Sequence, residues 1–208
     1  IRVIVADGAH PVEHVGPQPA LIVATRGAEP DAEGGYRAVV LLDGPRMLQA
    51  PDLRIGESCL RWWSNAAALA APGAPIHLVG VDSAVGRALA TWNQTGYARA
   101  ELQSRDPLHM PPAARVALVE GVPASVERAL AALRELPVPS DAILGPVPIE
   151  PDEGRVRALV RFDYAAGPKV TSTLRAAVVA EAVKRRRRRG QPLQSPLSLR
   201  LDILDPEL

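Results

Sequence analysis

Arg155-Val156-Arg157-Ala158-Leu159-Val160-Arg161-Phe162-Asp163-Tyr164, followed closely by Gly167-Pro168, decides the fold of the second half of the chain. As a strand it places Arg157, Leu159 and Arg161 on one face and Ala158, Val160 and Phe162 on the other. The arginines take the exposed face, near the basic run further along. Pro168 suits the first turn of a helix, and the apolar stretch Val170–Val183 continues that helix into Lys184-Arg185-Arg186-Arg187-Arg188-Arg189-Gly190. Leu197–Leu204 (LSLRLDIL) alternates and reads as a closing strand. Upstream, Arg115–Glu120 is a strand and Ser125–Leu136 a helix behind Pro123. Ala142–Ile149 is an extended segment broken by Gly145-Pro146-Val147-Pro148. Two β-α-β passes of this kind predict a small α+β domain of the split βαβ type over 113–208.

Working outward, 107–112 holds three prolines in six residues and reads as a linker. The pattern before it is different. Ile1–Ala6, Ala20–Thr25, Arg37–Asp43 and Ile76–Val81 are apolar throughout, which predicts strands of a parallel sheet buried on both faces. Asp52–Ala71 is a long helical pattern stopped by Pro72-Gly73, and Ser83–Asn93 and Gly96–Arg105 are two more. Residues 1–106 therefore read as a doubly wound α/β lobe. It is a partial one, since no Gly-rich phosphate loop accompanies its opening strand.

The charge is unevenly placed. Residues 111–208 carry 15 Lys and Arg against 12 Asp and Glu, and without the six-residue run the same half has 9 against 12. Residues 1–110 have 9 against 11. Six adjacent cations repel one another, so they must face water or an anionic partner. A phosphate backbone fits them, since guanidinium is a planar, bidentate donor. The candidate DNA contacts are thus Lys184, Arg185, Arg186, Arg187, Arg188 and Arg189, with Arg157, Arg161 and Arg175 as neighbours. The competing reading is a solvated helix end whose cations complement the macrodipole.

The 47% hydrophobic content excludes wholesale disorder. No apolar run approaches a membrane span of about 20 residues, and no Trp, Phe or Leu is interleaved with the arginines to enter lipid. A single cysteine, Cys59, fits a reducing cytoplasm and a small core position. A first residue of Ile1 reads as a fragment or a processed piece. His10 and His14 have H-x-x-x-H spacing but fall in a loop without a third ligand nearby, so no metal is assigned. His77, in a buried strand, and His109 read as structural, and Asp43 as a strand cap. Of the adjacent Trp62 and Trp63 one is core and the other partly exposed; packing on Trp92 is the favoured role for the exposed indole, with stacking on an unpaired base or docking of a partner protein as the alternatives.

Several stretches together resemble the C-terminal part of the primosomal protein N′ (PriA) family, in its actinobacterial, helicase-degenerate branch. Ala20–Pro30 (ALIVATRGAEP) is similar to helicase motif V. Asp52-Leu53-Arg54 with Glu57 resembles the family's D-F-R-x-x-E. Glu101-Leu102, Arg105 and Pro111-Pro112 resemble its E-L-x-x-R…P-P junction. Gly145-Pro146-Val147-Pro148 resembles its G-P-x-P, and Asp202…Asp205-Pro206 its D-x-D-P end. The resemblance implies a second RecA-like helicase lobe followed by a DNA-binding domain. It also implies recognition of forked or single-stranded DNA, with single-stranded DNA-binding protein and primosome proteins as partners in the cytoplasm. ATP and zinc are implied for the family. Here, however, Leu69 and Pro72 stand where the motif VI arginines should reach the γ-phosphoryl group, Arg26-Gly27-Ala28 replaces the polar run and lysine after Thr25, and the zinc cysteines are absent. The expectation is a lobe without ATP-driven chemistry, hence not an enzyme. The alternatives are an ATP-dependent DNA helicase whose remaining motifs lie outside these residues, and a protein-interaction scaffold.

Overall fold

Parallel pairing occupies the first hundred residues and antiparallel pairing the rest. The computed structural model describes residues 1–150, 154–187 and 197–203. It divides into two compact units, Ile1–Ala100 and Glu101–Leu208.

In the first unit the chain runs β1 (Arg2–Ala6), β2 (His14–Val15), β3 (Ala20–Ala24), β4 (Asp31–Ala32), β5 (Val39–Leu41), α1 (Gly44–Met47), α2 (Ile55–Ala68), β6 (Ile76–Leu78), α3 (Ala84–Ala90) and α4 (Gln94–Arg105), the last turn of α4 belonging to the second unit. β1 pairs with β3, β2 with β4 and β5 with β6, each as a separate two-stranded parallel sheet. The long helical pattern is α2, whose Cys59, Leu60, Trp63, Ala66 and Ala67 form one buried stripe. Val85, Ala88 and Leu89 of α3 join this core, with Leu41 and Leu78 packed against it.

The expectation of strands buried on both faces is not met. Val3, Val5, Leu21 and Val23 are each more than half exposed, and Val40 and Leu42 likewise. Register places Val3 beside Leu21 and Val5 beside Val23, so these four form one open apolar face. The reason is cover rather than composition: α2 and α3 line only one side of β5 and β6, and a parallel sheet needs both sides lined.

The second unit follows the split βαβ plan: β7 (Arg115–Gly121), α5 (Pro123–Arg134), β8 (Ile143–Pro148), β9 (Val156–Phe162), α6 (Gly167–Arg187) and β10 (Leu197–Leu201). The sheet order is β10-β7-β9-β8, antiparallel throughout. Pro123 starts α5 at its first turn, and Val126, Ala129, Leu130 and Leu133 recur at helical spacing to form its buried stripe. Val170 and Leu174 do the same on α6. Both stripes close over Ala117, Val119, Ala158, Val160 and Phe162. Each Val, Leu or Phe side chain among these contributes about 1.5–3 kcal/mol on burial. Val116, Leu118 and Leu159 form a smaller cluster on the opposite face. Gly145 in β8 has φ 95°, and a Cβ there would lie 2.9 Å from the Arg157 carbonyl oxygen, so the Gly-Pro-Val-Pro kink requires glycine.

The proline-rich segment is a clamped loop rather than slack chain. Proline lacks an N–H, so this stretch offers carbonyls that need donors. Arg161 donates to Leu108 O at 3.2 Å, the buried Arg105 to Pro111 O at 3.3 Å, and Tyr164 to Pro112 O at 2.9 Å. Arg105 also holds Glu101 at 2.7 Å. Of the residues quoted for the E-L-x-x-R…P-P junction, Glu101, Arg105 and Pro111 thus bond to one another within the second unit.

Candidate nucleic-acid interface

The basic run grows out of α6, a 21-residue helix whose inner face is sealed on the sheet. Lys184, Arg185, Arg186 and Arg187 form its last turn; Arg188 and Arg189 lie outside the described residues. Arg175 is exposed along the same helix, about two and a half turns back from the run. Among the described cations expected at the interface, Arg175 and Lys184 stand in solvent on one element.

Arg157 and Arg161 are not brought together with them. On β9 they share the face of Leu159, whereas α6 packs over Ala158, Val160 and Phe162. The sheet separates the two sets. Strand alternation found the shared face of the arginines but could not say which face the following helix would cover. Arg157 lies 3.9 Å from Glu120, and Arg161 spends its two terminal nitrogens on the carbonyls of Leu108 and Asp141, each at 3.2 Å. Glu120 also receives Arg200 at 3.3 Å. These are internal pairings on the face that buries Val116, Leu118 and Leu159, where the two arginines are half-buried rather than exposed as expected.

Two residues absent from the sequence reading organise the helix end. Glu181 is buried, at 8% exposure, on the α6 stripe that begins with Val170 and Leu174. Its Oε1 accepts from Arg128 Nε at 2.9 Å and Lys184 Nζ at 3.2 Å. Its Oε2 accepts from Ser125 Oγ at 2.9 Å and Arg128 Nη2 at 2.8 Å. Hydrogen bonding from Arg128 holds the carboxyl down at about 2, with Ser125 and Lys184 adding to it, against burial that pushes it up. The same contact raises the Arg128 guanidinium. The signal was available in the sequence: Glu181 continues the Val170, Leu174, Ala177, Val178 spacing, and a carboxylate in a core stripe demands partners. Its partners on α5 were not deducible from spacing.

The remaining candidates are scattered. Cys59 is fully buried in the α2 core, and burial raises its thiol. Trp63 is buried, while Trp62 carries the Arg26 guanidinium 3.7 Å above its ring, a cation–π contact. Trp92 is 54% exposed. His77 is exposed on β6, against the expectation of burial, because its side of that sheet is open. His10 Nδ1 lies 3.1 Å from Asp7, His14 in β2 3.9 Å from Asp31, and the exposed His109 3.8 Å from Asp163. Asp43 adopts φ 58° ahead of α1 and its side chain makes no capping hydrogen bond.

Leu69 ends α2 and Pro72 follows it, and neither side chain can donate to phosphate; the Leu69 carbonyl accepts from Tyr36 N at 2.9 Å, which ties this segment into a small parallel bridge. Among the described residues no group of three or more His, Cys, Asp and Glu could hold a metal ion, and none of the helices is long and apolar enough to cross a membrane.

Fold and interface define a mixed α/β protein whose second, split βαβ unit carries a cationic helix end. Residues 106–206 match the family described as primosomal protein N C-terminal domain. The chain is 36% identical over 190 residues to the probable replication restart protein PriA of Mycobacterium tuberculosis and to that of Mycobacterium bovis. Each match covers 83% of this chain and 29% of the relative. It is 34% identical over 197 residues to the Mycobacterium leprae protein of the same description, covering 88% of this chain and 30% of the relative. The chain belongs to this family as the C-terminal, PriA-like part, and it spans under a third of the length of the curated relatives it matches.

Proposed function

We propose that the chain is the DNA-gripping part of a replication-restart protein that holds forked or single-stranded DNA through its phosphates. The observation that carries the reading is the continuity of α6. One face is locked to the sheet by Val170 and Leu174, and the same helix extends into the basic run. Of that run, Arg185 through Arg189 make sequence-independent phosphate contacts, and Arg175 extends the path back along the helix. The first unit is a second RecA-like lobe without ATP-driven chemistry, a reading supported by Leu69 and Pro72 at the positions of the family's arginines. Single-stranded DNA-binding protein and primosome proteins are its partners, in the cytoplasm.

Each phosphate neutralised on duplex DNA contributes about 0.9 to the slope of log K against log salt. Replacing Arg185–Arg189 by alanine in the full chain therefore flattens that slope by several units. An unchanged slope would leave the run as a solvated helix end.

A further inference from the structure

We infer that Glu181 is an internal counter-ion that withholds Arg128 and Lys184 from phosphate, so that the grip of the basic run on a nucleic acid begins at Arg185. This rests on the phosphate-binding reading above and deepens it. Lys184 is the first cation of the run, and Arg128 is the cation that α5 brings to the same helix end. Both have side chains at least half exposed, so by exposure alone each would count as a phosphate contact.

Geometry argues otherwise. Both Glu181 oxygens are occupied: Oε1 by Arg128 Nε and Lys184 Nζ, Oε2 by Arg128 Nη2 and Ser125 Oγ. The Glu181 side chain is only 9% exposed, while those of Arg128 and Lys184 reach it from solvent. Stripping cations from a buried carboxylate leaves its charge uncompensated, which is strongly unfavourable. An exposed phosphate offers these cations a contact weakened by water and salt. The two arms are unequal, and the cations stay with Glu181. The device gives the domain a boundary: cations rooted in the α5–α6 contact serve the fold, and those past it are left for a ligand.

The test compares the full chain with E181Q, E181Q/K184A and E127Q on a fluorescent DNA duplex across a salt series. Glu127, exposed and paired with Arg134 at 2.6 Å, controls for simple loss of a negative charge on the same unit. Glutamine at 181 keeps an acceptor for Ser125 and Arg128 while releasing the charge. E181Q steepens the slope by about 0.9 to 1.8, one increment per cation released, E181Q/K184A returns about half of that, and E127Q matches the unmodified chain. An E181Q slope equal to the unmodified one, or an equal steepening in E127Q, overturns the inference. Elution from phosphocellulose reads the available cations without DNA. Later elution of E181Q alone, with no duplex binding by any form, would keep the counter-ion and remove the DNA reading. Should E181Q fail to fold, the Glu181 carboxyl ¹³C resonance of the unmodified chain decides: it stays put on saturation with duplex, and movement towards an unpaired carboxylate refutes the proposal.

Discussion

Val5 and Val23 lie in parallel strands and are more than half exposed, whereas Val119 and Val160 lie in antiparallel strands and are almost wholly buried. The residue type is the same and the local conformation nearly so. The difference lies in what stands over the strand. In the second unit α5 and α6 seal one face of the sheet, and Val116, Leu118 and Leu159 are buried on the other. In the first unit, α2 and α3 cover a single side of β5 and β6, and a face of β1 and β3 stays open. Burial is thus a property of the layer arrangement, not of the strand.

The comparison can be broken most forcefully at Leu130, which has no exposed surface. Truncation to alanine removes a side chain from the sealed side of the sheet and lowers stability by roughly 2–5 kcal/mol, read as a fall in the urea midpoint. A loss below about 1 kcal/mol would mean that the helix side is not the tight core described.

A somewhat smaller effect belongs to acid. The Glu181 carboxyl, ordinarily near 4.5, is held at about 2 in the folded chain. A depressed acid contributes stability above its unfolded value and loses it as pH falls through the folded one. Unfolding free energy therefore drops between about pH 4.5 and 2, by roughly 2–3 kcal/mol from this group. In E181Q that part of the pH dependence vanishes, and an acid limb identical in both proteins would mean that the α5–α6 lock does not titrate. The smallest effect sharpens the contrast from the other side. Val5→Thr and Val23→Thr change stability by no more than about 0.5 kcal/mol. A loss above 1 kcal/mol in thermal melts would show that these faces are covered in solution.

Much of the strand and helix pattern was legible. The ten-residue stretch Arg155–Tyr164 contains β9, and the Pro-marked helix starts fall where α5 and α6 begin, because alternation and proline chemistry act locally. The short β2 and β4 were missed: two residues each, they lie among Pro, Gly and His and have no period to detect. Two of the donors that hold the proline-rich segment 107–112, Arg161 and Tyr164, were not legible because they lie some fifty positions downstream.

For the interface, local chemistry located the cations and long-range packing sorted them. A run of Lys and Arg must reach solvent wherever it sits, since like charges cannot share a core, so the basic tract was visible from residues 184–189 alone. The choice between Arg175, on the helix that carries the tract, and Arg157 and Arg161, across the sheet from it, depended on which face α6 would cover. The pairing of Glu181 with Ser125 and Arg128 likewise joins residues more than fifty positions apart. Periodicity specifies which side chains share a face of one element; only the docking of elements decides which faces meet, because burial free energy depends on both surfaces at once.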